Sequence, residues 1–148
     1  MRPFLILSIS LLVACTPRGA ITYDPAAAAI GEVTPIFIGT TRVMEEGSFG
    51  PDRSEEMRFA RYDVSIPPQR KPGEINWPTR FEKADPKRHF LTTRGELYPK
   101  DSDFRSDLRR HLAAHGNEAV IFIHGYNNNF SEGLYRIAQF SHDLELPG

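Results

Sequence analysis

The sequence predicts an α/β fold, an incomplete doubly wound sheet preceded by a loop-rich N-terminal part. Three observations carry that prediction. Residues 119–123 form an unbroken apolar run, Ala-Val-Ile-Phe-Ile, of the kind found in a central parallel strand covered on both faces. The segments on either side of it repeat apolar residues at three- and four-residue spacing, the signature of one helix face. Most of the twelve prolines and eleven glycines fall before residue 100, where they punctuate short extended runs. Helix, buried strand, tight turn and helix make one doubly wound unit. A parallel crossover needs a returning strand beside the first, and residue 148 is reached where that strand is expected. The sheet is therefore expected to be unfinished.

Each element has its own local reason. Residues 34–38, Thr-Pro-Ile-Phe-Ile, read as a short strand ending at Gly39, with Gly39-Thr40-Thr41-Arg42 as a turn. Residues 45–56 are polar and contain Gly47, Gly50 and Pro51, so they read as a surface loop. In residues 61–66 the apolar Tyr62, Val64 and Ile66 alternate with polar neighbours, as in a half-buried strand, and Pro67-Pro68 ends it. Residues 69–86 are irregular, and residues 89–92 read as a further short strand. Phe104, Leu108, His111, Leu112 and His115 share one helix face, with Asp101 or Ser102 as cap and Gly116 just past the end. The second helix presents Phe130, Leu134, Ile137, Ala138, Ser141 and Leu144, capped by Asn129 or Ser131.

Composition excludes several classes. With 40% hydrophobic residues, 25% charged residues and a net charge of −1, the chain is ordinary for one globular domain. The balance gives no electrostatic reason to expect nucleic acid as a partner. The one cysteine, Cys15, rules out an internal disulfide.

The N-terminus reads as an address. Residues 4–14 are apolar apart from Ser8 and Ser10 and follow a single charge at Arg2. A bilayer crossing needs about 20 residues, whereas this length fits the apolar part of a secretory signal. The run ends in Leu12-Val13-Ala14-Cys15, which resembles the lipobox of bacterial lipoproteins. That resemblance implies a signal peptide over residues 1–14, lipidation at Cys15 and a membrane partner through the lipid. Thr16 stands where an aspartate would imply inner-membrane retention, so the expected location is the cell envelope, at the outer membrane facing the periplasm. Residues 15–33 then read as a tether and residues 34–148 as the domain.

Function rests on Val120-Ile121-Phe122-Ile123-His124-Gly125-Tyr126-Asn127-Asn128-Asn129-Phe130. This stretch resembles the strand and oxyanion loop of α/β-hydrolases, and more closely the HGYN-type loop of the DUF900 group of esterase/lipase-like proteins. Other pieces agree in order: Ile38-Gly39-Thr40-Thr41-Arg42, Val64-Ser65-Ile66-Pro67, Pro72-Gly73-Glu74-Ile75 and Trp77-Pro78. The resemblance covers residues 34–148. It implies that His124, Gly125, Tyr126 and Asn127 form an oxyanion loop, with the Tyr126 N–H as donor, helped by Asn127. Backbone N–H groups fixed near a developing oxyanion stabilise it without reorganising, and one donor matters by about 2.7–4 kcal/mol. Without the resemblance, the same residues read as a plain strand-to-helix turn, with asparagines supplying turn geometry and a cap.

The catalytic residues of such an enzyme are not in this sequence. No G-x-S-x-G occurs, and Gly47-Ser48-Phe49-Gly50 has the wrong spacing. Ser141, His142 and Asp143 are consecutive on a helix and point about 100° apart, so they do not converge as a triad. His111 and His115 have the i, i+4 spacing of a metal pair but lack a third ligand, so no metal or other cofactor is expected. His89 reads as a loop or strand-edge residue. Asp101, Asp103 and Asp107 read as a solvated set near a helix start.

Two functions are consistent with these residues. The first is the N-terminal part of a lipid-anchored serine hydrolase taking a small ester or related acyl substrate, inactive as this chain alone. The second is a non-enzymatic envelope lipoprotein whose loops 45–56 and 69–86 contact a partner.

Overall fold

A computed structural model describes residues 18–45, 48–79 and 81–146. The signal segment and Cys15 lie outside them. Three strands, β1 (Glu32–Glu45), β2 (Ser48–Ile66) and β3 (Leu91–Tyr98), are followed by two helices, α1 (Asp101–Ala114) and α2 (Phe130–Asp143). The sheet order is β1-β2-β3 and both pairings are antiparallel. The fold is mixed α/β, and the two helices lie on opposite faces of the sheet.

The alternation of side chains explains that layering. Strand neighbours point to opposite faces, and the register pairs Thr34 with Val64, Ile36 with Tyr62 and Ile38 with Ala60. This face packs on α2 and forms the core, where Ala60, Tyr62, Val64 and Ile66 meet Phe90, Leu134, Tyr135 and Ala138. The opposite face presents Phe37, Phe59 and Tyr98 to Phe104 of α1, with ring centroids 5.9, 4.5 and 5.5 Å from it. Asp107 reinforces that contact by accepting from the Tyr98 hydroxyl at 2.5 Å and from Arg61 at 3.3 Å.

Several elements differ from the sequence reading. The expected turn at residues 39–42 and loop at residues 45–56 are instead the far half of a long hairpin, with Met44 opposite Phe49 and Glu45 opposite Ser48. Phe49 explains why this half holds: it is buried and packs on Phe130 at 4.9 Å, a contact no local pattern predicts. Two points of the segment before β1, Gly19 and Ala27, are buried. Asp24 caps a 3-10 turn, Pro25–Ala29, whose Ala27 is fully buried and whose carbonyl accepts from Ser65 Oγ at 3.0 Å. Tyr23 forms a parallel bridge to Thr92. The expected strand at residues 89–92 begins at Leu91 and runs on to Tyr98. Lys100 rather than Asp101 or Ser102 occupies the α1 cap position, without a side-chain bond. Gly116, just past the helix, has φ +86°, the left-handed conformation glycine favours.

The largest difference concerns residues 119–123. They are not in a strand, and none of their backbone groups bonds to the sheet. Ile121 and Ile123 are 86% and 87% exposed. Only Phe122 is half-buried, edge-on to Phe140 at 5.9 Å. The physical reason is the lack of neighbours: a strand apolar on both faces is stable only with hydrogen-bonded partners beside it, and among the described residues the sheet is the antiparallel β1-β2-β3 alone, with no strand running parallel to residues 119–123. Residues 118–124 instead form one wall of an apolar groove of about 440 Å³, whose other walls include Ile36, Ile38, Leu108, Leu134 and Ile137.

Candidate functional site

The loop at residues 124–129 leaves this extended segment and enters α2. Its far end is set by a capping box: Asn129 Oδ1 accepts from the Glu132 N–H at 2.8 Å, and Glu132 Oε2 accepts from the Asn129 N–H at 3.0 Å. Glu132 serves two further donors, the Gly19 N–H at 3.2 Å and Arg18 at 2.9 Å. Burial pushes its carboxyl upward, but the Asn129 and Gly19 amides and the Arg18 charge outweigh that and hold its pKa below the ordinary glutamate value. Asn129 Nδ2 and Ser131 Oγ both donate to Gly19 O at 2.8 Å. The segment around Gly19 is thereby stapled to the start of α2.

Within the loop three carbonyls, those of Gly125, Asn127 and Asn128, are occupied, while the four amides from Gly125 to Asn128 are not. His124 Nδ1 donates to Gly125 O at 2.9 Å, which requires its proton on that nitrogen. Arg18 donates to Asn127 O at 3.0 Å and to Asn127 Oδ1 at 3.2 Å. Arg42 donates to Asn128 O at 3.2 Å. Among the described residues, the N–H groups of Gly125, Tyr126, Asn127 and Asn128 have no hydrogen-bond acceptor. The Tyr126 side chain is fully exposed. The four residues expected at the site, His124 to Asn127, therefore sit together on one loop at the edge of the apolar groove, to which His124 contributes. A row of unoccupied amides beside an apolar groove is chemically suited to an oxygen anion joined to a hydrocarbon group.

The other candidate residues are used elsewhere. His142 contacts Asp143 at 3.2 Å through Nδ1 and Glu32 at 3.5 Å through Nε2. Asp143 is held by Arg70, by the Gly73 N–H and by Gln139, so it anchors the end of α2 rather than serving a base. The hydroxyls of Ser65 and Ser131 bond to backbone carbonyls, and that of Ser54 to the Glu56 carbonyl. His89 Nδ1 accepts from the Asp85 N–H at 3.0 Å. His111 and His115 stack with ring centroids 4.2 Å apart, and no group of three metal-ligating side chains occurs among the described residues. Sequence reasoning missed Arg18 and Arg42, because their loop partners lie 109 and 86 residues away. Glu132, three residues after Asn129, carried the one local signal, that of a capping box.

Comparison with known proteins adds to this geometry. Residues 100–148 match the family described as alpha/beta hydrolase of unknown function (DUF900). The match spans α1, the extended segment, the loop and α2, and supports an α/β-hydrolase-like relationship. No curated protein and no solved structure matches the chain.

Proposed function

We propose that this α/β-hydrolase-like chain carries the oxyanion-holding part of a hydrolase acting on carboxylic esters or related acyl substrates. The observation that carries the proposal is the unoccupied Tyr126 N–H, on a loop three of whose carbonyls are held by His124, Arg18 and Arg42. Attack on an ester carbonyl places negative charge on its oxygen. An amide held in place beforehand stabilises that charge more in the transition state than in the substrate, which is what raises rate. The nucleophile, acid and base are assigned to polypeptide other than residues 18–146, and this chain alone is expected to give no turnover.

The test uses the protein isolated from its native cells together with the polypeptide that supplies the nucleophile, with a p-nitrophenyl ester of a short acid as substrate. Tyr126→Pro removes the N–H and lowers kcat by about 10²–10³, with thermal unfolding checked in parallel. Undiminished turnover in that variant, or robust turnover by the isolated 148-residue chain, sinks the reading.

The location is proposed from Cys15, which lies outside the described residues. No helix among the described residues is long and apolar enough to cross a membrane. A lipid on Cys15 supplies the anchor, since each buried CH₂ contributes about 0.8 kcal/mol. Cys15→Ser is expected to move the protein from the membrane fraction to the soluble one, and retention in the membrane fraction counts against the anchor. The alternative of an envelope interaction module draws on the exposed Ile121, Ile123 and Tyr126. It is favoured if the native membrane protein unfolds cooperatively and turns over no ester.

A further inference from the structure

Arg42 lies in β1 between two shifts of register with β2, one between Thr40 and Arg42 and the next between Arg42 and Met44. Such irregularities bend a strand and re-aim its side chains. Here Thr40 Oγ1 accepts from the Arg42 N–H at 3.1 Å, and the guanidinium leaves the sheet for the loop. Its Nη1 donates to Gly50 O at 3.0 Å and its Nη2 to Asn128 O at 3.2 Å. One side chain thus ties the end of the hairpin to the loop. Arg18 grips the neighbouring residue from another part of the chain, through Asn127 O and Asn127 Oδ1.

A peptide group is planar and trans, so its N–H points opposite to its carbonyl. Holding Asn127 O therefore orients the Asn128 N–H, just as the His124 ring on Gly125 O orients that of Tyr126. We propose that Arg18 and Arg42 are positioning residues: Arg18 holds the Asn127–Asn128 peptide so that the unoccupied Asn128 N–H stays aligned for an anionic oxygen, and Arg42 holds the next peptide, whose N–H Glu132 already takes, and so fixes Asn128 from its other side. This deepens the oxyanion reading and rests on it. Arginine suits the task because its planar fork spans two carbonyls at once, which the point charge of lysine does not. Arg42 also places a positive charge beside the loop, where developing negative charge is favoured, while that of Arg18 is shared with Glu132.

The experiment is ¹⁵N relaxation on the full chain in detergent micelles, comparing the parent with R42Q, R42K and R18Q. Backbone order parameters near 0.85 mark rigid amides and values below about 0.6 flexible ones. The parent is expected near the first value at Tyr126, Asn127 and Asn128. R42Q and R42K are expected to bring Asn128 below about 0.6, and R18Q to do so at Asn127 and Asn128, with Leu134 and Ala138 in α2 unchanged. R18Q keeps the test alive if Arg42 variants fail to fold, because the Arg18 side chain is 53% exposed. Unchanged loop values overturn the proposal, as does a loss of order that spreads to Leu134 and Ala138, or an R42K loop as rigid as the parent. The measurement reads order without chemistry. A loop that loosens as expected while Tyr126→Pro leaves ester turnover intact would sink the oxyanion reading and not this one.

Discussion

Replacing Asp143 with asparagine removes the negative partner of Arg70 at the end of α2. The Arg70 and Asp143 side chains are 5% and 8% exposed, so the pair is screened little by solvent. Arg70 reaches both carboxylate oxygens, and the Gly73 N–H and Gln139 Nε2 each donate to Oδ2 at 2.6 Å. The guanidinium also lies over the Phe90 ring, 5.6 Å from its centroid, and its Nε is already buried without a partner. Removing one member of a buried pair leaves the other uncompensated, at about 3–5 kcal/mol. Asparagine keeps one acceptor oxygen, so the expected loss is near 3 kcal/mol, a large part of the roughly 5–15 kcal/mol that holds a domain together. For a chain of this size that corresponds to a melting temperature lower by about 10 °C.

The pH dependence follows from the same contacts. Arg70 hydrogen bonding holds the Asp143 carboxyl well below the usual range against the upward push of burial, and Gly73, Gln139 and His142 add in the same direction. The folded-state pKa therefore lies below the unfolded value of about 3.9. The stabilisation is complete above that value and is lost as pH falls through the folded pKa. Urea unfolding of parent and D143N at pH 7, 5 and 3 should show the full gap at the first two values and a smaller one at the third. A gap under about 1 kcal/mol at pH 7, or one that widens between pH 5 and pH 3, would refute the reasoning.

Three further substitutions probe packing. Leu134→Ala empties a position 3% exposed in the core between α2 and the sheet, and should lower stability by about 2–5 kcal/mol in urea unfolding. Glu132→Ala removes the reciprocal arm of the α2 cap together with the contacts to Gly19 and Arg18. It should reduce stability by about 1–2 kcal/mol and fray the start of α2, seen as faster exchange of the Gly133 amide. Gly31→Ala would place a Cβ 2.3 Å from Ser65 Oγ and 2.5 Å from Ile66 O. Because the second of these is backbone, a loss of about 1–3 kcal/mol in the same assay is expected, and a neutral result would show that the 3-10 turn can move away from β2.

Much of the local structure was legible because it depends on near neighbours. The alternation at Tyr62, Val64 and Ile66, the stop at Pro67-Pro68 and the Asn129 cap are all where the sequence puts them. The α2 face was read from period alone, and so it named Leu144, which is 64% exposed, and omitted Tyr135, which is fully buried. Tyr135 is drawn in by partners distant in sequence: Phe90 at 6.0 Å, Trp77 at 6.4 Å and the Thr22 N–H, which donates to its hydroxyl at 3.3 Å.

By itself the sequence determined both helices and their ends within a residue or two, the strand through Tyr62, Val64 and Ile66, and the loop of glycine and asparagines that is the candidate site. These follow from backbone preferences and hydrophobic period, which act over a few residues. Tertiary structure alone decided that the hairpin continues through Arg42 and Phe49, that Gly19 and Ala27 are buried against α2 and β2, and that residues 119–123 stand outside the sheet. It also decided that Arg18 and Arg42 hold the loop. Burial and pairing depend on which surfaces meet, and surfaces a hundred residues apart leave no mark on one another's local pattern.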